Sequence, residues 1–215
     1  MPTAGKNYSD WGLTPYPTAL QRQLELVEQR HSGAIEDCLV FTEHPPTYTM
    51  GARRGAERHL LAGDEQLQQL GIQLIKTNRG GDITYHGPGQ LVGYPIVSLA
   101  ATRDLHRYLR DLEQVLIHAL GTIGLAASRL EGKTGIWLAD RKICAIGIAV
   151  KKWVTYHGFA INVNNDLSAF NHIVPCGIPP EEGSVTSIAK ELRQSIDMPI
   201  LKSVVADAFW NIFAE

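Results

Sequence analysis

Residues Lys142 to Val150 constrain the fold more than any other segment. In strand register one side carries Lys142, Cys144, Ile146, Ile148 and Val150, and the other carries Ile143, Ala145, Gly147 and Ala149. Apart from the first lysine, both sides are apolar. Such a strand must be covered on both faces, which places it inside a sheet with layers above and below. Two segments adjoin it. Thr134 to Leu138 precedes it across Ala139-Asp140-Arg141, a hairpin connection. Trp153 to Val163 follows, and strict alternation predicts Trp153, Thr155, His157, Phe159, Ile161 and Val163 on one face, with Asn164-Asn165-Asp166 as the break.

Helical spacing appears toward both ends. Leu20, Leu24 and Val27 predict a helix over Pro17 to His31, stopped by Gly33. Asp64 to Leu70 reads as a short helix closed by Gly71, leading into a strand from Ile72 to Lys76. Asp104 is a good N-cap for a long helix whose stripe runs from Leu105 to Ile123 and ends at Gly121 or Gly124. A short helix is expected around Thr186 to Arg193, and a last one over Ile200 to Phe213. Short apolar strands are expected at Cys38 to Thr42 and Gln90 to Val97, and Leu167 to Ser184 reads as irregular. The plan is α+β, a mixed or mostly antiparallel sheet flanked by helices, without βαβ alternation. No linker, repeat or low-complexity stretch interrupts it, so residues 1–215 are expected to form a single domain.

Composition narrows the function classes. The 44% hydrophobic and 20% charged content is ordinary globular usage. No apolar run approaches the roughly 18 residues a membrane helix needs, and Met1 to Asp10 lacks the apolar core of a secretory signal. A net charge of -2 argues against nucleic acid as the main partner. The three cysteines, Cys38, Cys144 and Cys176, are sparse, odd in number and far apart, so no disulfide framework is expected and a cytoplasmic setting is the default.

Chemistry concentrates in two places. Arg79 to Gly93 holds five glycines in fifteen residues, where the chain average of 20 in 215 predicts about 1.4. Such an excess points to a backbone that turns tightly or approaches a ligand closely. Arg79, Asp82, Thr84, Tyr85, His86 and Gln90 are interleaved with the glycines; the plain alternative is a hairpin loop with solvated polar groups. The run does not fit G-x-G-x-x-G, because residue 92 is Val, and no P-loop is present.

The second place is Val174-Pro175-Cys176-Gly177-Ile178-Pro179. Cys38 and Cys144 lie inside apolar strands and read as small buried hydrophobes. Cys176 sits in a loop framed by prolines and glycine, which suits a presented nucleophile. A thiol with a pKa of about 8.5 needs a basic or cationic neighbour to react at neutral pH. His44, His86, His157, His172 and Lys142 are the candidates. At the mouth of a buried strand Lys142 would be partly desolvated, which lowers a lysine pKa. The pattern alone slightly favours the plainer reading, a lysine past a hairpin turn snorkelling to water. The histidine and cysteine spacings contain no compact zinc-site pair, so no metal is expected. Arg53, Arg54 and Arg58 form a basic cluster that reads equally as a solvated face.

Four segments taken together resemble the lipoyl(octanoyl) transferase family. They are Glu43 to Gly51; Arg79 through Gln90; Gly135-Ile136-Trp137 with Arg141-Lys142-Ile143 and Ile146-Gly147; and His157 to Asn162 followed by Val174 to Ile178 and Thr186-Ser187. They stand in family order and span the chain from about residue 8 to about residue 200. The resemblance implies a fold like the catalytic domain of biotin and lipoate protein ligases. It implies Cys176 as the acyl-thioester nucleophile and Lys142 as its acid/base, which reverses the preference from pattern alone. It implies substrate contacts from Arg79, Gly80, Gly81, Asp82, Ile83, Thr84, Tyr85 and His86, from Ala145, Ile146 and Gly147, and from Gly158, Phe159 and Ala160. The implied donor is octanoyl-acyl carrier protein. The implied acceptors are lipoyl domains of 2-oxoacid dehydrogenase complexes and the glycine cleavage H protein. No cofactor, nucleic acid or membrane is implied. Asp82 stands where the family often has glutamine, and Cys144 where a small residue such as alanine is usual. An ATP-dependent ligase of the same fold and a binding-only module remain the alternatives, separated by ATP dependence and by turnover; a Cys-His protease fits poorly.

Overall fold

The structure, a computed structural model, describes residues 8–175 and 183–213. In chain order the strands are β1 (Ser9–Leu13), β2 (Cys38–Glu43), β3 (Thr47–Met50), β4 (Gln73–Lys76), β5 (Ile83–His86), β6 (Gln90–Ile96), β7 (Ser128–Leu130), β8 (Lys133–Leu138), β9 (Arg141–Lys151), β10 (Val154–Asn162) and β11 (Ser184–Val185). The helices are α1 (Tyr16–His31), α2 (Asp64–Leu70), α3 (Leu105–Thr122), α4 (Ile188–Leu192) and α5 (Met198–Phe213).

Among the described residues, eight strands form the main sheet in the order β1-β2-β6-β10-β9-β8-β7, with β11 added beside β9. The β1/β2 and β11/β9 pairs are parallel and the others antiparallel, so the sheet is mixed. The doubly apolar segment is interior, as its pattern requires. Ile143, Ile146 and Ile148 pack with Leu112 and Leu116 of α3 and Val205 and Phe209 of α5. On the other face, α1 sets Ala19 against Val40 and Val92, and Val27 against Ile96 and Tyr156. A second, three-stranded sheet, β4-β3-β5, carries its own core of Tyr48, Ile83, Leu67, Phe170 and Ile173.

The local rules hold where they are local. The Asp104 carboxylate accepts the Arg107 backbone N–H at 2.9 Å and caps α3. Gly71 closes α2 in the left-handed conformation, at φ 63°. No helix among the described residues is long and apolar enough to cross a membrane.

One expectation is corrected. Strict alternation along β10 fails at His157, whose φ of 57° turns the chain. His157 points to the α1 side, bonded to Tyr16, whereas Phe159 and Ile161 pack into the α3 and α5 core. The glycine-rich run spans two sheets, which rules out the plain alternative of one hairpin loop. Ile83 to His86 is β5 of the small sheet and Gln90 to Ile96 is β6 of the main sheet, so residues 87–89 link two layers. β3, β5 and the short β1, β7 and β11 were not among the expected strands.

Candidate active site

A cavity of about 410 Å³ opens between the α1 face of the main sheet and the small sheet. That falls within the usual range for small-molecule sites, about 300–1,000 Å³. Of the expected contact residues, Arg79, Gly81, Asp82, Thr84, His86, Lys142, Ala145, Ile146, Gly147, Gly158, Phe159 and Ala160 line it. Ile83 and Tyr85 alternate to the other side of β5 and pack in the small core. Gly80 lies just behind the wall, its N–H donating to Ile148 O at 2.8 Å. Cys176 lies outside the described residues.

The loop before β5 explains the glycines. A Cβ on Gly147 would stand 2.7 Å from Gly80 O, and one on Gly51 would strike Gly81 O. Two backbones therefore cross at contact distance, which only glycine permits. Arg79 fastens the crossing. Its guanidinium donates to Thr49 O at 2.5 Å, Asp82 O at 2.7 Å and Gly80 O at 3.0 Å. Asp82 is likewise engaged. It accepts Ile83 N–H at 2.7 Å and stands 2.8 Å from His59 Nδ1 and 3.3 Å from Arg53 Nη1.

The cavity wall holds two neutral histidines, His86 and His157, with the His44 ring packed against His86. The Gln90 amide nitrogen donates to Tyr85 O and Asn162 Oδ1, so its oxygen accepts, and it lies 2.8 Å from His86 Nδ1. His86 is thus protonated on Nδ1, and its Nε2 accepts from Thr49 Oγ1 at 3.0 Å. Burial holds His86 well below the ordinary histidine range, and the His44 ring and the Arg79 charge add to this. Burial takes His44 down to about 4, and burial with Arg79 takes His157 down to about 3. The same burial pushes the neighbouring Tyr16 hydroxyl up to about 12. Each ring already has partners on both nitrogens, for His44 the Thr14 carbonyl and the Tyr94 hydroxyl. All three rings are therefore held in the neutral form at neutral pH.

Lys142 differs. It is 6% exposed, so it does not snorkel to water. Its backbone is clamped between Trp137 of β8 and Val185 of β11. The β8/β9 register slips by one residue: Ile136 pairs with Cys144 but Trp137 pairs with Lys142. Ile143 is the extra residue of a β-bulge, and a bulge re-aims the side chain beside it. Lys142 therefore shares the cavity with Ala145 and Gly147. Simple alternation had assigned it to the face of Cys144, Ile146 and Ile148. Among the described residues its ammonium has no ion-pair or hydrogen-bond partner; the Trp137 ring centroid lies 5.4 Å away. Cys144 is fully buried beneath it, with Sγ 3.5 Å from Ala145 O, in the packing role its strand predicted.

Sequence reasoning missed Tyr16, Val92, Tyr94 and the segment Gly132 to Thr134, which also line the cavity. Tyr16 and Tyr94 carry no local signal, because each is an apolar position of an ordinary element. Among the described residues no cluster of His, Cys, Asp or Glu is suited to a metal.

Comparison with known proteins identifies the family. The lipoyl protein ligase A/B catalytic domain matches residues 15–210. An octanoyltransferase of Rubrobacter xylanophilus is 48% identical over 205 residues, covering 95% of this chain and 91% of that protein. A lipoate-protein ligase A structure bound with ATP superposes with a TM-score of 0.76 at 19% identity, over 97% of this chain and 86% of that one. A biotin protein ligase from Aquifex aeolicus superposes with a TM-score of 0.60 at 14% identity, over 96% of this chain and 70% of that one. At such identities the two structures establish the shared fold. The matched domain and the close relative together place this chain in the octanoyltransferase family, as an acyltransferase built on the lipoate and biotin ligase fold.

Proposed function

We propose that the protein transfers an octanoyl group from octanoyl-acyl carrier protein to a lysine of lipoyl domains, as a step of lipoate biosynthesis. Cys176 is the nucleophile and Lys142 the acid/base. The observation that carries this reading is Lys142, a buried amine without an anionic partner among the described residues, opening into a cavity of suitable size. Pro175, the residue before Cys176, borders a small void with Lys142 and Ala145.

The steps balance. The Cys176 thiolate attacks the donor thioester; the carrier sulfur leaves and takes the Lys142 proton. One thioester replaces another, so no ATP is needed. The acceptor lysine amine then attacks the Cys176 thioester. An amide bond forms, the Cys176 thiolate departs, and neutral Lys142 takes the amine's proton. The Gly80 amide is committed to Ile148, so Gly81 or the Cys176-Gly177 amides are left to stabilise the oxyanion. Octanoyl carbons bury against Val92, Ala145, Phe159 and Ala160, each CH₂ contributing about 0.8 kcal/mol.

Intact-mass measurement on enzyme mixed with octanoyl-carrier protein, without ATP, tests the reading. Wild type gains one octanoyl mass, removed by hydroxylamine, and Cys176→Ala gains none. An adduct on Cys176→Ala, or one that requires ATP, removes the proposal.

A further inference from the structure

We propose that Gly135 and Trp137, both on β8, are positioning residues for the Lys142 amine. The inference rests on the acid/base role given to Lys142 above and extends it to the groups that aim it.

Gly135 has φ 114°, a backbone conformation that glycine adopts freely and residues with a side chain rarely do. A Cβ at this position would stand 2.5 Å from Cys144 O, 2.6 Å from Lys142 Cε and 3.2 Å from Lys142 Nζ. The lysine stem thus lies directly across the bare Cα of Gly135. The slot coincides with the register slip that turns Lys142 toward the cavity. A lysine carries a flexible four-carbon stem, and an amine that must reach two successive reacting centres needs that freedom removed.

Trp137 supplies the second restraint. Its side chain is fully buried, and its Nε1–H has no hydrogen-bond partner among the described residues. An unpaired buried donor costs stability, so the indole is not retained for its polar edge. What it presents is its ring, with Lys142 Nζ 5.4 Å and Lys133 Nζ 5.8 Å from the centroid. An aromatic quadrupole attracts an ammonium at that range. The ring thus holds the Lys142 ammonium in a place where no carboxylate among the described residues does so.

The test compares kcat and KM for octanoyl transfer in Trp137→Phe, Trp137→Leu, Gly135→Ala and Lys142→Ala, with thermal unfolding recorded for each. Trp137→Leu keeps an apolar side chain but loses the ring, and kcat falls about tenfold with KM unchanged. Trp137→Phe keeps a ring and drops the unpaired N–H, so it retains kcat and unfolds no earlier than Trp137→Leu. A folded Gly135→Ala loses about 10²-fold in kcat. Equal kcat for Trp137→Leu and Trp137→Phe overturns the proposal, because packing alone would give that result. If Gly135→Ala does not fold, the Trp137 pair still decides. A Lys142→Ala enzyme with wild-type kcat would mean that the acid/base reading itself has failed. An inactive Lys142→Ala beside a fully active Trp137→Leu would overturn the positioning role alone.

Discussion

The Tyr16 hydroxyl lies 3.2 Å from Nδ1 of His157, and the two rings stack with centroids 6.4 Å apart. His157 Nε2 lies 3.0 Å from Asn78 Oδ1, so that nitrogen donates and Nδ1 accepts from Tyr16. A ring bonded in this way is buried neutral. The cavity therefore combines uncharged histidines with Lys142, whose amine has no ion-pair or hydrogen-bond partner among the described residues.

Stability should report the buried histidines. Unfolded histidine titrates near about 6.5, while folded His44 and His157 titrate at about 4 and about 3. Above the unfolded value neither state binds protons and stability is full. As pH falls below it the unfolded chain protonates first, so stability drops by about 1.4 kcal/mol per pH unit for each histidine, until the folded value is reached. Urea midpoints at about pH 7.5 and about pH 5 should show a steeper fall in wild type than in His44→Gln or His157→Gln. Parallel falls would contradict the assignment.

Lys142→Arg keeps a cation but cannot give up its proton, since a guanidinium stays charged above about pH 12. Turnover should fall by about 10²–10⁴-fold. The acyl adduct should form more slowly, because the departing carrier sulfur receives no proton from the guanidinium, and should then persist, because the second step needs a base. Single-turnover mass measurements follow both steps, and wild-type deacylation in this variant would refute the base role.

Gly158→Ala should destabilise the fold by about 1–3 kcal/mol. Its Cβ would strike Gly93 O and stand 2.7 Å from Pro95 Cδ. Gly121→Ala in α3 is the contrast. Nothing lies within 4 Å of its Cβ position, so about 0.5–1 kcal/mol should be gained. Urea unfolding of the two variants in parallel gives both signs; a neutral Gly158→Ala would remove the close-approach argument.

Arg53, Arg54 and Arg58 and the pair Lys151 and Lys152 offer two candidate faces for an acidic carrier protein. Lys151 and Lys152 both pair with Glu28 of α1, at 2.9 and 2.7 Å. Arg53 lines the cavity mouth with a side chain 56% exposed. Arg53→Glu should raise KM for the carrier and flatten its salt dependence, while Lys151→Gln leaves KM unchanged. The reverse pattern in steady-state kinetics would assign docking to the other face.

Much of the architecture is legible in the chain because its cause is local. The α3 stripe, its Asp104 cap, the Gly71 stop and the doubly apolar β9 each follow from residues a few positions apart. β3 and β5 escape such a reading, because four residues give too short a period to detect. Several site positions are legible only through motif resemblance. Arg79 and Asp82 fall in the glycine-rich run, yet their side chains are spent on carbonyls, a backbone amide and neighbouring charges.

The α+β class, the order of the motif-bearing segments and the central strand follow from residues near one another in the chain. Where the chemistry faces follows from contacts between distant segments. Lys142 reaches the cavity because pairing with β8 forces an extra residue at Ile143, and register belongs to two strands together. His157 changes side through one positive φ that α1 and Tyr16 hold in place. The glycines at 51, 80, 81 and 147 matter because two layers cross there, a contact that no single segment contains.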